Sequence, residues 1–234
     1  MKEYVFSEKG NRDINEDSYC VEKVDDKCIY IVADGCGGHS SGEIASRLIC
    51  DSLPELLFEC DDTADSIKNG INLCNVKVLE QQKTYKGMRS TVVGLYKSKD
   101  KYFAFNVGDS RLYQIRNGNI IFNTEDHSVP YLLYKADIIA EDEINTHEDR
   151  NKLLEALGNK EKIKINVYQL DVKQGDVFVL ATDGFWEHFY RHDFTECLVD
   201  NCEDWLSNRI DYIKKTNDPE QDNYTAVVIG ESDE

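Results

Sequence analysis

Hydrophobic and polar positions along the chain follow two periods, one typical of strands and one typical of helices. Dense or alternating β-branched and aromatic residues predict strands over residues 18–24, 28–33, 90–96, 102–107, 111–116, 119–123, 162–170, 176–181 and 224–229. Apolar residues at three- and four-residue spacing predict helices over residues 43–58, 64–83, 193–199 and 203–215. Residues 126–158 are acidic, and we expect short helical pieces there.

The order of these elements indicates the fold class. Asn117-Gly118 stands between two strand patterns and is a strong hairpin signal. Strands linked by hairpins and grouped apart from the helices favour an α+β fold with antiparallel sheets, because a parallel sheet would need strands and helices in alternation. A chain of 234 residues without a visible linker or internal repeat predicts a single domain over residues 1–234.

Composition narrows the class of partner. The chain has 45 acidic and 27 basic residues and a formal net charge of −18, which argues against nucleic acid or an anionic membrane as the main partner. No apolar run is long enough to span a bilayer, and the first residues lack a secretory signal. We therefore expect a cytoplasmic protein, a monomer, whose eight cysteines are free thiols.

Four aspartates share one setting, the boundary of a predicted strand: Asp34, Asp109, Asp183 and Asp222. If these boundaries meet at one end of two stacked sheets, the carboxylates converge and favour a hard divalent cation, Mg²⁺ or Mn²⁺. Two such cations about 4 Å apart would form a site for phosphoryl transfer or hydrolysis. Each aspartate alone is more often a turn residue or a helix cap, so the hypothesis depends on all four.

The glycine-rich segment after Asp34 offers competing interpretations. Residues 38–42 match the G-x-S-x-G pattern of serine hydrolases, but Ser40 lies several residues beyond the predicted strand end, where a nucleophile elbow needs its serine at the turn. The segment also lacks the third glycine of a dinucleotide-binding G-x-G-x-x-G. No cysteine is followed six positions later by an arginine, as a cysteine phosphatase requires, and Asp34 would raise the pKa of the nearby Cys36 thiol.

Seven segments, in order along the chain, resemble the metal-dependent protein serine/threonine phosphatases of the protein phosphatase 2C type, in their bacterial form. They are residues 12–17, 34–46, 108–111, 125–128, 147–158, 182–186 and 222–225. The corresponding family patterns are R-x-x-N-E-D, D-G-x-G-G-H-x-x-G-E-x-A-S, G-D-S-R, D-H-S, the stretch that closes the flap, S-D-G-L-W and D-N-x-T. No single segment is specific for this family, but the occurrence of all seven in the family's order over residues 7–229 is specific for it.

This resemblance implies a fold and a metal centre. The fold would be a four-layer α-β-β-α sandwich with two antiparallel sheets, and a flap subdomain over about residues 128–158 would lie near the metal site. Asp34 would bridge two Mn²⁺ or Mg²⁺ ions, and the carbonyl of Gly35 would bind one of them. Asp183 and Asp222 would complete the protein ligands of the other ion.

Four further residues receive roles from the same resemblance. Asp109 would join Asp183 at a third, weaker metal position. Glu16 and Asp17 would act on the metals through water molecules. Arg12 would bind the substrate phosphate, for which its forked guanidinium is suited.

The implied activity is hydrolysis of phosphoserine and phosphothreonine in proteins by a water activated between two metal ions, which would reverse a cognate serine/threonine kinase. Catalysis would depend on Arg12, Asp34, Asp183 and Asp222. Cys36 departs from the animal relatives, which carry a histidine proposed as general acid there, and Arg89 replaces a glycine often found in its segment. A non-catalytic scaffold on the same fold stays open as an alternative, although no ligand aspartate is lost.

Overall fold

The computed structural model describes residues 1–36 and 41–231. Its strands are β1 (Lys2–Glu8), β2 (Asp17–Val24), β3 (Lys27–Cys36), β4 (Arg89–Ser90), β5 (Val92–Ser98), β6 (Lys101–Val107), β7 (Arg111–Arg116), β8 (Asn119–Asn123), β9 (Asn166–Leu170), β10 (Val177–Ala181) and β11 (Tyr224–Gly230). Its helices are α1 (Gly42–Phe58), α2 (Ala64–Gln81), α3 (Val129–Lys135), α4 (Asp183–Trp186), α5 (Arg191–Thr195) and α6 (Cys202–Thr216), with a 3₁₀ helix at Glu141–Thr146.

These strands form two antiparallel sheets. One has the order β1-β11-β10-β7-β8 and the other β2-β3-β5-β6-β9, with β4 paired to the end of β3. The hairpin between β7 and β8 turns at Asn117 and Gly118, whose φ angles of 50° and 70° are those of the predicted tight turn. The predicted α+β class with two antiparallel sheets is confirmed.

Strand β3 shows why the densest apolar runs lie at the centre. Successive side chains of a strand point to opposite faces, so a run that is apolar at every position is buried on both. Ile29 and Ile31 pack with residues of α1 and α2, whereas Tyr30 and Val32 pack with Phe178 and other residues of the second sheet. The outer face of that second sheet is covered by α4, α5 and α6. Helices therefore lie outside both sheets.

Several elements differ from the sequence prediction. Strand β1 was not predicted, because its apolar run covers only residues 4–6 and it pairs with β11 at the other end of the chain. Asp34 lies within β3 rather than at its end, since β4 extends the pairing to Cys36. Asp183 begins the short helix α4, which was not predicted either. The strand predicted over 162–170 forms only at Asn166–Leu170.

The segment between β8 and β9 returns to the region of Asp34. It contains α3 and the 3₁₀ helix, as the expected helical pieces, and forms isolated bridges from Ser128 to Leu153 and from Ser90 to Leu157. Within residues 1–36 and 41–231, none of the helices has the length and apolar character needed to cross a bilayer. All eight cysteines are free thiols.

Candidate active site

The four aspartates singled out in the sequence line one cavity of about 400 Å³, where the ends of both sheets meet. Predicted site residues Arg12, Glu16 and Gly35 line the same cavity, and so does Cys36. The rest of the wall comes from Asp13, Ile14, Asn151, Leu153 and Asn223. Asp17 does not line the cavity; it is buried on β2 directly opposite Asp34 in the pairing with β3.

The backbone of Asp34 is held by Ser90, the last residue of β4, and by Thr91, which lies between β4 and β5. The Thr91 N–H donates to the Asp34 carbonyl at 2.8 Å, and the Asp34 N–H donates to Thr91 Oγ1 at 3.1 Å. The Ser90 hydroxyl also donates to the Asp34 carbonyl, at 2.9 Å. These bonds fix the direction in which the carboxylate leaves the strand, which local sequence patterns did not reveal.

Two glycines allow β3 to reach the start of α1. A Cβ atom on Gly35 would lie 2.2 Å from the carbonyl oxygen of Gly42, and one on Gly42 would lie 2.6 Å from the carbonyl oxygen of Gly35. No side chain fits at either position without moving the backbone. Glu16 lies beside this contact, and its Oε1 accepts a hydrogen bond from the Gly42 N–H at 3.1 Å.

Asn223 anchors the loop that carries Arg12 and Glu16. Its Nδ2 donates to the carbonyls of Lys9 at 2.8 Å and Ile14 at 3.0 Å, while its Oδ1 accepts from the Glu16 N–H at 2.7 Å. All the side chain's main hydrogen-bonding groups are therefore used to hold this loop. Asn223 belongs to the D-N-x-T pattern, but this structural role was missed in the sequence.

Asp17 interacts with the second sheet through Thr182. The Thr182 hydroxyl donates to Asp17 Oδ2 at 2.9 Å and accepts from the Thr225 N–H at 3.0 Å. Both Thr182 and Asp17 are buried. The hydroxyl thus connects β2, β10 and β11 directly behind the cavity.

Asp183 and Asp222 lie side by side at the junction of β10 and β11. Each carboxylate accepts a hydrogen bond from the next residue's N–H, at 2.7 Å from Gly184 and 2.8 Å from Asn223. The Arg12 guanidinium donates from Nη2 to Asp222 Oδ2 at 2.8 Å. About half of the Arg12 side chain is exposed, so its remaining donors face solvent at the cavity.

Asp109 follows a glycine in a backbone conformation that disfavours other residues, with φ +105° at Gly108. Its own Oδ1 is buried without a hydrogen-bond partner in the described residues. A buried, unpartnered carboxylate oxygen that faces other carboxylates indicates that a cation completes the site.

Burial, together with repulsion from neighbouring carboxylates, raises the pKa values of these groups. Burial and the charge of Asp222 raise the pKa of Asp183 to about 6. Burial raises the pKa of Asp17 to about 8. Hydrogen bonds from the Thr225 and Thr182 hydroxyls act in the opposite direction, and the charge of Asp183 adds to the rise. Burial and then Asp183 hold the pKa values of Asp34 and Asp109 well above the usual range.

The donor set fits a hard divalent cation. In the described parts of the chain, no three His, Cys, Asp or Glu side chains are arranged to hold a metal ion by themselves. Mg²⁺ and related ions, however, retain several waters and are commonly held by one or two carboxylates each. Among residues 1–36 and 41–231, six acidic residues and one arginine line the cavity, and no histidine or thiolate there competes with the carboxylate oxygen atoms.

The competing interpretations gain no support from the described residues. Ser40 and His39 lie outside them. Burial and the charge of Asp34 raise the pKa of the Cys36 thiol, so it is protonated and a poor nucleophile. Arg89 is exposed and pairs with Cys36 through β4.

Known proteins share both the sequence pattern and the fold. The family model of protein phosphatase 2C matches residues 7–221. The serine/threonine phosphatase stp of Listeria welshimeri is 30% identical over 227 residues, covering 92% of this chain and 89% of that protein. Protein phosphatase PhpP of Streptococcus pneumoniae is 27% identical over 193 residues, covering 79% of this chain and 78% of that protein.

Solved structures agree with the sandwich fold. The Mycobacterium tuberculosis phosphatase PstP/Ppp superposes with a TM-score of 0.84 at 24% identity, covering 99% of both chains. The catalytic domain of a phosphatase PstP in complex with 2 manganese ions superposes with a TM-score of 0.79 at 23% identity, covering 99% of this chain and 98% of that one. With the family match over most of the sequence, the chain belongs to the protein phosphatase 2C family.

Proposed function

We propose that this chain hydrolyses phosphoserine and phosphothreonine in proteins, using divalent cations held in the cavity, and so reverses a serine/threonine kinase. The observation that carries the proposal is the convergence of Asp34, Asp109, Asp183 and Asp222 with Arg12 in one cavity. The phosphatases stp and PhpP support it as relatives over most of the chain. We propose that the protein acts in the cytoplasm as a monomeric domain spanning residues 1–234.

The carboxylates would divide among the cations according to their positions. Asp34, on β3 in the wall of the cavity, would bridge two ions, with the Gly35 carbonyl as a further ligand of one. Asp183 and Asp222, adjacent in space, would hold the other ion. When bound, two such ions acidify a water molecule and screen the charge of a phosphate. The PstP catalytic domain solved in complex with 2 manganese ions supports Mn²⁺ as a candidate cation.

Glu16, Asp17 and Asp109 would have supporting roles. Glu16 lines the cavity and is fixed to the start of α1, so it would orient water near the ions. Asp17 is buried behind Asp34 and would act on the centre through water as well. Asp109, next to Asp183, would contribute to a third and weaker position.

Arg12 would bind the phosphoryl oxygens of the substrate. Its guanidinium contacts Asp222 through Nη2 and leaves other N–H donors free to face an anion in the cavity. A planar fork of donors matches the geometry of phosphate and stabilises negative charge on its oxygens during in-line attack. The protonated Cys36 thiol takes no part as nucleophile, so no phospho-enzyme is required.

The segment over residues 128–158 would act as the flap beside the site. Asn151 and Leu153 from this segment line the cavity, and the bridge between Ser128 and Leu153 closes its base. A phosphoprotein bound at Arg12 would therefore contact this segment.

A phosphothreonine peptide tests the proposal. Wild-type protein with Mn²⁺ should release phosphate, whereas EDTA, Asp34→Ala and Asp183→Asn should each abolish most of the rate. Asp204→Asn, an exposed substitution on α6, is the matched control and should keep full activity. Equal rates under all these conditions would contradict the proposal.

A further inference from the structure

The two tryptophans of the chain make the same kind of hydrogen bond in different places. Trp186 Nε1 donates to the Asp109 carbonyl at 3.0 Å, and Trp205 Nε1 donates to the Asp193 carbonyl at 3.0 Å. Both side chains are buried, with 5% and 4% exposure. Only the first of these bonds ends on a residue of the catalytic cavity.

Trp186 is itself held in one orientation. The Arg111 guanidinium lies over the indole ring, 3.5 Å from its centre. Arg111 is fixed in turn by Asp126, with Nε to Oδ1 at 3.0 Å and Nη2 to Oδ2 at 2.7 Å, and by the Tyr113 hydroxyl at 3.1 Å. A bidentate pair and a stacked ring leave the indole little freedom to rotate.

The residue before Asp109 is held from the other side by His127. The His127 N–H donates to the Gly108 carbonyl at 2.8 Å, and the Gly108 N–H donates to His127 Nδ1 at 3.2 Å. Because Asp126 and His127 are neighbours, the contacts through Arg111 and through His127 start from the same short segment. The Gly108–Asp109 backbone is therefore fixed at both of its carbonyls.

Trp186 also connects Asp109 with Asp183. Helix α4 is a single turn that begins with Asp183 and ends with Trp186. The same rigid turn thus carries one carboxylate of the cavity and the donor that holds the backbone of another. Asp109 Oδ1 meanwhile has no hydrogen-bond partner among the described residues, so the distance of this carboxylate from Asp183 depends on how its backbone is held.

We propose that Trp186 is a positioning residue that sets the spacing between the carboxylates of Asp109 and Asp183, and with it the affinity of the weaker third divalent ion. The inference rests on the proposed function, because it assigns that ion to these two carboxylates. It predicts that removal of the indole N–H weakens metal binding at one position and leaves the phosphate contact at Arg12 unchanged.

The two tryptophans supply a matched pair of variants. Trp186→Phe and Trp205→Phe each remove one buried indole N–H, and each leaves a single tryptophan as fluorescent reporter. In Trp186→Phe we expect the Mn²⁺ concentration for half-maximal hydrolysis of p-nitrophenyl phosphate to rise about fivefold or more, the size of one lost hydrogen bond. The KM for that substrate at saturating Mn²⁺ should stay within about twofold of wild type, as expected for an effect confined to metal binding.

Fluorescence gives a readout that does not depend on turnover. In Trp205→Phe, the remaining Trp186 lies against Asp109, and paramagnetic Mn²⁺ bound there should quench its emission in a weak phase. That phase should be absent from the Trp205→Phe/Asp109→Asn double variant and from Trp186→Phe. Mg²⁺, which is diamagnetic, serves as the control titrant.

Equal Mn²⁺ half-saturation in Trp186→Phe and Trp205→Phe would overturn the inference. If Trp186→Phe fails to fold, the test uses the Mn²⁺ quenching of Trp186 fluorescence in Trp205→Phe and in Trp205→Phe/Asp109→Asn. A weak quenching phase that is still present in the double variant overturns the inference. Failure of the proposed function looks different, because wild-type protein would then hydrolyse no phosphomonoester with any Mn²⁺ concentration.

Discussion

Arg12 and Asp222 form an ion pair at the mouth of the cavity, with Nη2 and Oδ2 separated by 2.8 Å. The pair joins the proposed phosphate ligand directly to a proposed metal ligand. Both side chains are partly exposed, so the contact holds the guanidinium in place more than it stabilises the fold. A cation on Asp222 and a phosphate on Arg12 would therefore share one immediate neighbourhood.

Replacement of Arg12 by lysine tests whether its forked geometry matters. Arg12→Lys keeps the charge but loses the planar pair of donors, and we expect kcat/KM for a phosphothreonine peptide to fall about ten- to hundredfold. Arg47→Lys, at an exposed position on α1, is the control and should leave kcat/KM unchanged. Full activity of Arg12→Lys would show that the fork is not used.

Asn223→Asp should disturb the loop that presents Arg12 and Glu16. A carboxylate cannot donate to the carbonyls of Lys9 and Ile14, and the two bonds made by Nδ2 would be lost. We expect a rise in KM and a loss of about 1–3 kcal/mol in the free energy of unfolding, because each of the two part-buried hydrogen bonds contributes about 0.5–1.5 kcal/mol. Asn208→Asp makes the same charge change at an exposed site of α6 and should do neither.

Thr182→Val should separate the role of Asp17 from that of the cavity wall. The variant removes the donor to Asp17 Oδ2 and the acceptor for the Thr225 N–H with almost no change of shape. Urea unfolding should show a loss of about 1–3 kcal/mol, because the buried Thr225 N–H loses its acceptor and the buried Asp17 carboxylate loses one of its two hydroxyl donors. Thr84→Val, at an exposed position, should stay within about 0.5 kcal/mol of wild type.

The stability of the metal-free protein should fall as pH rises. The pKa of Asp183 is raised to about 6 and that of Asp17 to about 8, from a usual 3.8, so between about pH 4 and pH 8 the folded state binds more protons than the unfolded chain. The free energy of unfolding in EDTA should therefore decrease across this window. Urea titrations at about pH 5, 6.5 and 8 measure the slope.

Two further measurements of stability against pH test whether the cavity carboxylates cause the decrease. Saturating Mn²⁺ should raise the stability at about pH 8 more than at about pH 5, because the cation binds ionised carboxylates in the folded state. Asp183→Asn removes one of the raised groups and should make the decrease in EDTA shallower. A metal-free protein that grows more stable toward about pH 8 would contradict the raised pKa values that burial and mutual repulsion give these carboxylates.

Local signals predicted much of the fold. The hairpin of β7 and β8 has the predicted bounds, because Asn117-Gly118 specifies its own turn. Strand β1 was missed because its apolar run is short, at residues 4–6, and its hydrogen-bonding partner β11 lies at the other end of the chain. The end of β3 was misplaced for a related reason, since its last pairs are with β4, far along the chain.

In the candidate site, too, local patterns predicted some residues, whereas residues that act through distant contacts were missed. Asp34, Asp109, Asp183 and Asp222 could be selected from their setting beside apolar runs, and they do share one cavity. The groups that hold the site could not be selected in that way. Thr182 and Trp186 act on residues that are distant in sequence, and only the folded chain brings their donors to Asp17 and to the Asp109 carbonyl.

Cations held by the cavity carboxylates are proposed to enable phosphate release. The most direct test of this proposal is a Mn²⁺ titration of metal-free protein in which calorimetric occupancy and the rate of phosphothreonine-peptide hydrolysis are measured at the same concentrations. We expect the rate to rise in step with occupancy in the wild type, and we expect Asp34→Asn to lose both together while Asp204→Asn loses neither. Hydrolysis that proceeds at full rate before Mn²⁺ binds, or that persists in Asp34→Asn without bound Mn²⁺, would contradict the proposal.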